Sequence, residues 1–288
     1  RREQLVAALQ REMLLRHDYL TDRRLQTIYF GGGTPSLLSA PHLDTLLNTA
    51  AKTFDIDPTA EITLEANPQD LTPTLLHDLH TLGINRLSIG IQSFYEPNTP
   101  MYRALTHGHI TPVSDDMSNT MLDMLCHATA TAGMDHYEVS NFARPTMYSR
   151  HNSGYWNGTH YLGLGPAAHS YDGTSRQWNI ASLTDYCNAI EHNDIPCEHE
   201  QLTYDNQRCE RIMLGLRTRR GIDLTTFRDD FGPDATDQLL RRAEPLIHSH
   251  HLQRTTTPHT LASTPANTTT YDFLHATHSG LKILNHIT

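Results

Sequence analysis

The segment Leu25-Gln26-Thr27-Ile28-Tyr29-Phe30-Gly31-Gly32-Gly33 decides the fold class. The part before the glycines is rich in β-branched and aromatic side chains, which favour a strand, and the glycines themselves favour a turn. Ser39 is a plausible helix N-cap, and Leu43, Leu46 and Leu47 follow it on one helical face. The segment therefore predicts a strand, a glycine turn and an amphipathic helix, which together make one βα unit.

Further units of this kind follow along the chain. A turn is expected at 55–58, and the segment 61–68 is predicted to be a second strand with a polar end. Thr72-Pro73 predicts the start of another helix, and Gly83 predicts its end. A third strand is predicted at 85–92. Strands that alternate with helices at this spacing favour right-handed crossovers and a parallel sheet.

Polar residues stand where the predicted parallel strands end. Ligands of parallel α/β folds bind at the carboxyl ends of the strands, and those ends here carry the segment 31–34, then Glu65 and Asn67, then Gln92. A triple-glycine loop lets a ligand approach main-chain groups directly. The loop matches neither the dinucleotide nor the P-loop glycine pattern. Ordinary βα turns with solvated polar ends remain an alternative interpretation of the same residues.

An aromatic and histidine-containing stretch marks the second half of the chain. A strand that runs into a turn is predicted at 136–143, and the segment 150–156 follows it as a glycine-rich loop that contains His151, Tyr155 and Trp156. Imidazole beside aromatic rings suits a flat aromatic ligand with a metal centre, because histidine supplies an axial nitrogen and the aromatic rings stack. A structural loop with a hydrogen-bonded histidine and a half-buried tryptophan is the alternative.

The region from Asp205 onward is predicted to be mainly helical. Residues 281–287 are predicted to be the last part of a small helical or winged-helix module. The segment 255–270 is predicted to be a Thr/Pro-rich linker or loop. The run His248-Ser249-His250-His251 is either a metal cluster or a solvated helix end. A winged helix would suggest DNA binding, but the acidic charge of the chain opposes it.

Composition narrows the class of protein. The 288 residues carry a formal net charge of −10, and the acidic balance argues against nucleic acid as the main partner. The sequence has no apolar run of about 18 residues, so no membrane-spanning helix is expected. Four cysteines at irregular spacing suggest neither a disulfide framework nor a CxxC site, and a reducing, cytoplasmic location is expected. The cysteines are Cys126, Cys187, Cys197 and Cys209.

Five motifs in a fixed order make the chain resemble the coproporphyrinogen III oxidase-like radical SAM family over nearly its whole length. The motifs are Tyr29-Phe30-Gly31-Gly32-Gly33-Thr34-Pro35-Ser36, Glu65-Ala66-Asn67-Pro68, Gly90-Ile91-Gln92-Ser93-Phe94, Tyr137-Glu138-Val139-Ser140-Asn141-Phe142-Ala143, and His151-Asn152 followed after two residues by Tyr155-Trp156. The last motif, HNxxYW, points to the haem chaperone branch rather than to the oxidase proper.

The resemblance implies two sets of binding residues. Gly32, Gly33 and Thr34 would contact S-adenosylmethionine, and Glu65 and Gln92 would line the same site. The haem motif would consist of His151, Asn152, Tyr155 and Trp156, with His151 as ligand of the haem iron. The implied fold is α/β, a truncated radical SAM partial (β/α)6 barrel followed by a small, mainly helical, winged-helix-like C-terminal domain.

Two departures from the family pattern shape the expected chemistry. The family carries a CxxxCxxC strand that holds a [4Fe–4S] cluster, and no cysteine here has that spacing, so no cluster is expected on this chain. Compared with the family, a stretch of about two βα units is also absent near Phe94-Tyr95, since the residues after it match a much later point of the family. Truncation would leave apolar edge strands at 28–30 and 87–91, and self-association is expected from them.

The sequence thus predicts three regions: a partial radical SAM α/β barrel at 1–150, the haem-motif region at 151–203 and a helical C-terminal domain at 204–288. The expected function is that of a cytoplasmic haem chaperone, which binds haem and delivers it to acceptor haemoproteins of respiratory type. No catalytic residue is assigned, and haem transfer without radical chemistry is favoured. The alternatives are an oxygen-independent coproporphyrinogen III oxidase, which performs radical oxidative decarboxylation, and an inactive truncated family member.

Overall fold

A computed structural model describes residues 1–33, 35–89, 100–109, 114–259 and 269–283. Helices and strands alternate from the first helix to the third strand, as expected of an α/β protein. The helices are α1 (Arg2–Leu15), α2 (Ala40–Thr53), α3 (Pro73–Thr81), α4 (Pro100–Thr106), α5 (Asp115–Thr131), α6 (Arg150–Asn157), α7 (Leu183–Glu191), α8 (Tyr204–Leu216), α9 (Leu224–His248) and α10 (His278–Lys282). The strands are β1 (Arg24–Phe30), β2 (Asp55–Ala66), β3 (Arg86–Ile89), β4 (Asp135–Glu138), β5 (Asn141–Ala143), β6 (His169–Tyr171), β7 (Ser175–Asn179), β8 (Cys197–Gln201), β9 (Ile222–Asp223), β10 (Leu252–His259) and β11 (Thr269–Ala276).

The chain divides into two compact units. The first contains Arg1–Pro112, Ser149–His151 and Thr159–Gln201, and the second contains the remaining residues. Helix α6 is shared, since its start is grouped with the first unit and the rest of it with the second. Within the described ranges, every helix is too short or too polar to cross a bilayer.

A parallel sheet in the order β1-β2-β3 is the frame of the first unit. This sheet confirms the predicted βα repeats. One face of the sheet is apolar, with Phe30, Ile62, Leu64 and Leu87 packed against the helices α2 and α3. The opposite face carries the alternate residues, which are polar because successive side chains of a strand point to opposite sides. These residues are Thr27 and Tyr29 on β1, Glu61, Thr63 and Glu65 on β2, and Arg86 and Ser88 on β3.

Local signals account for several helix ends of the first unit. The Thr72 hydroxyl accepts the Leu75 N–H at 3.2 Å, as expected of an N-cap, and Gly83 follows α3 with φ of +83°. The turn predicted at 55–58 is wrong, because these residues begin β2 and pair with β1. Pro58 has no N–H to donate to a partner strand. The pairing of β1 with β2 tolerates it because the register shifts between Leu25 and Thr27, which leaves an irregularity next to Pro58.

A buried carboxylate on α1 forms hydrogen bonds with residues 165–186 of the first unit. Glu12 is fully buried and accepts hydrogen bonds from Asn179 Nδ2 at 2.7 Å, from the Gly165 N–H at 2.8 Å and from the Tyr186 hydroxyl at 2.5 Å. Arg16, which directly follows the last residue of α1, lies 3.4 Å from the same carboxylate. Burial, followed by the charge of Glu12, raises the pKa of Tyr186, which keeps its hydroxyl a proton donor.

The second unit contains a short hairpin and the C-terminal domain. Strands β4 and β5 pair antiparallel, so the strand predicted at 136–143 is a hairpin. Helices α8 and α9 pack on a three-stranded antiparallel sheet in the order β10-β11-β9, and α9 is kinked at Gly232. The linker predicted at 255–270 is wrong over 255–259 and 269–270, which belong to paired strands; 260–268 lie outside the described residues. Threonine is β-branched and suits a strand, which the linker interpretation overlooked.

Candidate functional site

The glycine loop and Glu65 meet at the carboxyl end of the parallel sheet. Glu65 Oε2 accepts the Gly32 N–H at 3.0 Å, and Glu65 Oε1 accepts the Tyr29 hydroxyl at 2.6 Å. Gly32 and Gly33 have φ of +73° and +53°, and no heavy atom lies within 4 Å of where their Cβ atoms would be. The loop thus offers open main chain to a ligand beside a carboxylate that is already oriented.

Gly31 is required by the packing of its neighbours rather than by its backbone angles. A Cβ at this position would lie 2.5 Å from Tyr29 Cε1 and 3.3 Å from Glu65 Cδ. Both distances are shorter than ordinary van der Waals contacts. A glycine at position 31 therefore lets the Tyr29 ring fold back over the loop and reach Glu65.

The Tyr29 ring also lies against the imidazole of His151. The ring centroids are 4.5 Å apart and the planes differ by 14°, so the rings are stacked. His151 Nδ1 is 3.1 Å from the Thr27 hydroxyl, on the same strand and the same face as Tyr29. The structure therefore brings His151, Tyr29 and Glu65 together on the polar face of the sheet.

Glu61 holds the start of the helix that carries HNxxYW. Its carboxylate accepts the N–H groups of Arg150 and His151, each at 3.0 Å, and the Ser149 hydroxyl at 3.1 Å. Arg86 Nε donates to the same carboxylate at 2.9 Å. The loop predicted at 150–156 is wrong, because these residues form α6. A buried carboxylate at a helix N-terminus satisfies N–H groups that have no partner within the helix. Here the carboxylate belongs to Glu61, which lies about 90 positions before α6 in the sequence.

Opposing effects set the protonation of Glu61 and His151. Burial by itself would raise the pKa of Glu61, but the N–H groups of His151 and Arg150, the charge of Arg86 and the Ser149 hydroxyl together lower it below 4.5. Burial lowers the pKa of His151 from 6.5, and the negative charge of Glu61 opposes that shift. His151 is accordingly neutral at pH 7, which is the form that can ligate a metal.

The exit of the glycine loop is tied to the end of β2. Asp70 Oδ2 accepts the Ser36 hydroxyl at 2.7 Å and Asn67 Nδ2 at 3.2 Å. Asn67, predicted to lie on the rim, is therefore bonded to Asp70, and this link joins two of the motifs. Thr63, on the polar face, is 1% exposed and its Oγ1 has no hydrogen-bond partner among the described residues.

The rest of the haem motif is grouped with the second unit. Asn152 and Trp156 are partly buried on α6, and Tyr155 is 42% exposed. Trp156 Nε1 is buried and has no acceptor among the described residues. A buried N–H donor without an acceptor is costly, and an acceptor group on a ligand would satisfy it.

The motif around Glu138 packs against the end of α8. The Val139 N–H donates to the Arg217 carbonyl at 2.8 Å, and the Arg219 N–H donates to the Tyr137 carbonyl at 3.0 Å. Glu138 is 2% exposed, and its Oε2 accepts the Ser140 N–H at 3.2 Å. These contacts give this motif a structural role within the second unit.

The four cysteines of this chain do not fit a [4Fe–4S] cluster. Burial raises the pKa of the Cys126 and Cys187 thiols, which disfavours the thiolate form that a cluster needs. Cys126 Sγ faces His136 Nδ1 at 3.8 Å, and Cys197 Sγ faces Gln177. In the described part of the chain, no group of three or more potential metal-ligating side chains is close enough together to hold an ion.

Two of the predicted S-adenosylmethionine residues, Thr34 and Gln92, lie outside the described residues. Glu61, Thr27 and Tyr29 form contacts at the candidate site that the sequence analysis did not assign. The alternation of polar residues through Glu61, Thr63 and Glu65 is a signal that could have identified Glu61, because it places these side chains on one face of a strand.

Comparison with known families gives two matches. A model described as the radical SAM superfamily matches residues 6–113, and one described as the HemN C-terminal domain matches residues 202–254. The first match contains the parallel sheet and the glycine loop, and the second contains α8 and α9.

Similar curated proteins include haem chaperones. The Heme chaperone HemW of Mycobacterium tuberculosis (strain CDC 1551 / Oshkosh) is 27% identical in an alignment of 287 positions that covers 75% of this chain and 74% of that protein. The Heme chaperone HemW of Bacillus subtilis (strain 168) is 25% identical, with 80% and 79% covered.

Among solved structures, coproporphyrinogen III oxidase (HemN) from Escherichia coli is similar, with a TM-score of 0.71 and 17% sequence identity. The similarity covers 99% of this chain and 82% of that one. It confirms the predicted fold class, an α/β radical SAM fold followed by a small C-terminal domain.

Proposed function

Because the chain matches the radical SAM and HemN C-terminal family models, and similar curated proteins include haem chaperones, we propose that it binds haem through His151 and delivers it to haemoproteins. The observation that carries this proposal is that three residues hold His151 in place. Thr27 bonds its Nδ1, Tyr29 stacks on its ring, and Glu61 holds its main chain. An imidazole restrained in this way loses little conformational entropy when it binds a ligand.

The chemistry of the proposed step is ligation and release, not bond breaking in the porphyrin. A neutral imidazole ligates haem iron, and burial favours the neutral form of His151. Aromatic side chains bury porphyrin surface at about 25 cal/mol per Å² of apolar area, and Tyr155 and Trp156 are the candidates on α6. Trp156 Nε1 lacks an acceptor among the described residues, and a haem carboxylate would supply one.

The glycine loop is proposed as the S-adenosylmethionine site. Gly32, Gly33 and Thr34 would contact the cofactor, and Glu65 and Gln92 would line the site. Bound S-adenosylmethionine supplies radical chemistry only when a reduced cluster cleaves it. The proposed haem transfer consists of ligation and release by residues of this chain and needs no radical step. Haemoproteins of respiratory type are the proposed acceptors, and the cytoplasm is the proposed location of this chain.

Haem titration of the full chain tests the proposal. His151→Ala should remove most of the Soret shift that haem causes. The control is the triple change His248→Ala, His250→Ala and His251→Ala, which removes the histidines at and just after the end of α9 and should leave the shift nearly intact. The reverse pattern would mean that haem binds these histidines adventitiously, and the haem-chaperone assignment would then fail.

A further inference from the structure

We propose that Tyr29 is a positioning residue that couples the haem-binding histidine to the glycine-loop site. Its ring seats the His151 imidazole, and its hydroxyl holds Glu65 against the loop. A change at either end is then transmitted to the other through one rigid side chain. This inference rests on the proposed function, since it takes His151 to be the haem ligand.

The ring end of Tyr29 determines where His151 lies. With the planes 14° apart and the centroids at 4.5 Å, the stacking covers one face of the imidazole. The Thr27 hydroxyl, 3.1 Å from Nδ1, restricts rotation of the imidazole in its own plane. A ring hydrogen-bonded at one nitrogen is also the arrangement by which proteins orient histidine ligands.

The hydroxyl end of Tyr29 determines where the Glu65 carboxylate lies. The bond from the phenol to Glu65 Oε1 is 2.6 Å long, as expected when a hydroxyl donates to a carboxylate. The second carboxylate oxygen accepts the Gly32 N–H at 3.0 Å. Tyr29 and Gly32 therefore share Glu65, and a displacement of the phenol would disturb the loop main chain.

The position of the Tyr29 ring is tightly determined, which coupling requires. The ring lies 2.5 Å from where a Cβ at Gly31 would be, and it also stacks on the imidazole of His151. A side chain held by two such contacts transmits displacement, whereas a mobile one absorbs it. Coupling between two sites is reciprocal, so occupancy of the glycine loop must alter haem affinity as much as haem alters the loop.

The test is a double-mutant cycle on haem affinity in the full chain. Tyr29→Phe keeps the ring and removes the hydroxyl, and Glu65→Ala removes its acceptor. Each is expected to weaken haem binding by about threefold to tenfold, and the double variant should be no weaker than either single variant. Tyr171→Phe is the control, because it removes a tyrosine hydroxyl that bonds the Gly173 carbonyl at 3.1 Å instead of Glu65, and it should bind haem as the parent does.

The spectrum separates positioning from loss of folding. Tyr29→Phe should keep the Soret maximum of the parent, since the stacked ring remains, whereas Tyr29→Leu should shift it toward that of His151→Ala. If Tyr29→Leu does not fold, the Tyr29→Phe and Glu65→Ala cycle decides alone. Parental affinity in Tyr29→Phe, or losses that add in the double variant, would overturn the coupling. Parental affinity and spectrum in His151→Ala would instead overturn the proposed function.

Discussion

The Glu61 carboxylate accepts the His151 N–H at 3.0 Å, although 90 positions separate the two residues in the chain. Glu61 lies in the middle of β2, and His151 lies in the first turn of α6. Within the first unit, the parallel sheet and residues 149–151 are thus joined at a buried charge. The position of His151 depends on this joint as much as on its own side-chain contacts.

Glu61→Gln should destabilise the fold and weaken haem binding together. An amide has only one acceptor oxygen, and its NH₂ group would face N–H donors, so we expect a loss of about 2–3 kcal/mol in the free energy of unfolding. Urea unfolding and haem titration measure the two effects. Asp57→Asn is the control. Asp57 lies on the same strand as Glu61, but its carboxylate accepts hydrogen bonds from Arg24 and Thr59 and not from α6. Equal haem affinity in Glu61→Gln and Asp57→Asn would contradict the positioning role.

The lowered pKa of Glu61 should also make part of the stability acid-labile. Its folded pKa lies below 4.5, so the unfolded chain binds the proton more readily. The stabilisation is therefore complete above pH 4.5 and is lost as the pH falls below that value through the folded pKa. Melting temperatures recorded across this range should fall more steeply for the parent than for Glu61→Gln. Parallel curves would show that Glu61 does not contribute.

Gly31 and Gly32 should differ in their tolerance of a methyl group. Gly31→Ala would place Cβ against Tyr29 and Glu65, and overpacking of this kind costs about 1–3 kcal/mol and should displace Tyr29 from His151. Gly32→Ala meets no neighbour within 4 Å, and its φ of +73° costs about 1–2 kcal/mol of backbone strain alone. Haem titration should therefore show weaker binding in Gly31→Ala than in Gly32→Ala, even where their melting temperatures are similar.

Tyr186→Phe tests the buried Glu12 joint of the first unit. The change removes one of the donors to Glu12 but leaves Asn179 and the Gly165 N–H in place, so a loss of about 1–2 kcal/mol is expected in urea unfolding. Glu12→Ala should cost more, about 3–5 kcal/mol, because it leaves Arg16 buried without its partner charge. A smaller loss for Glu12→Ala than for Tyr186→Phe would contradict this account.

The pH dependence of haem binding should reflect the environment of His151. Burial lowers its pKa from 6.5, against the opposing charge of Glu61, so the imidazole stays neutral to a lower pH than an exposed histidine does. Haem affinity should be constant from about pH 8 to 6.5 and should decline only below 6.5, where the proton competes for the nitrogen. A decline that is already half complete above pH 6.5 would exclude His151 as the ligand.

Local patterns were enough for the elements that depend on neighbouring residues. The β-rich run that ends in the glycines is a strand, Thr72 caps the helix after it as expected, and Gly83 takes the positive φ predicted for a helix end. Each of these features is satisfied within a few residues. Two of the misassigned segments, 55–58 and 255–259, became strands because a partner strand elsewhere in the chain paired with them.

The sequence by itself determined the βα repeats, the open glycine loop and the presence of a haem-type motif in the chain. Only the tertiary structure decided that the motif begins a helix and that His151 lies on Tyr29, since the contact between Thr27 and His151 spans 124 positions. The physical reason is that periodicity and capping act over one or two turns. A stacked ring or a carboxylate at a helix start, in contrast, depends on how distant segments pack.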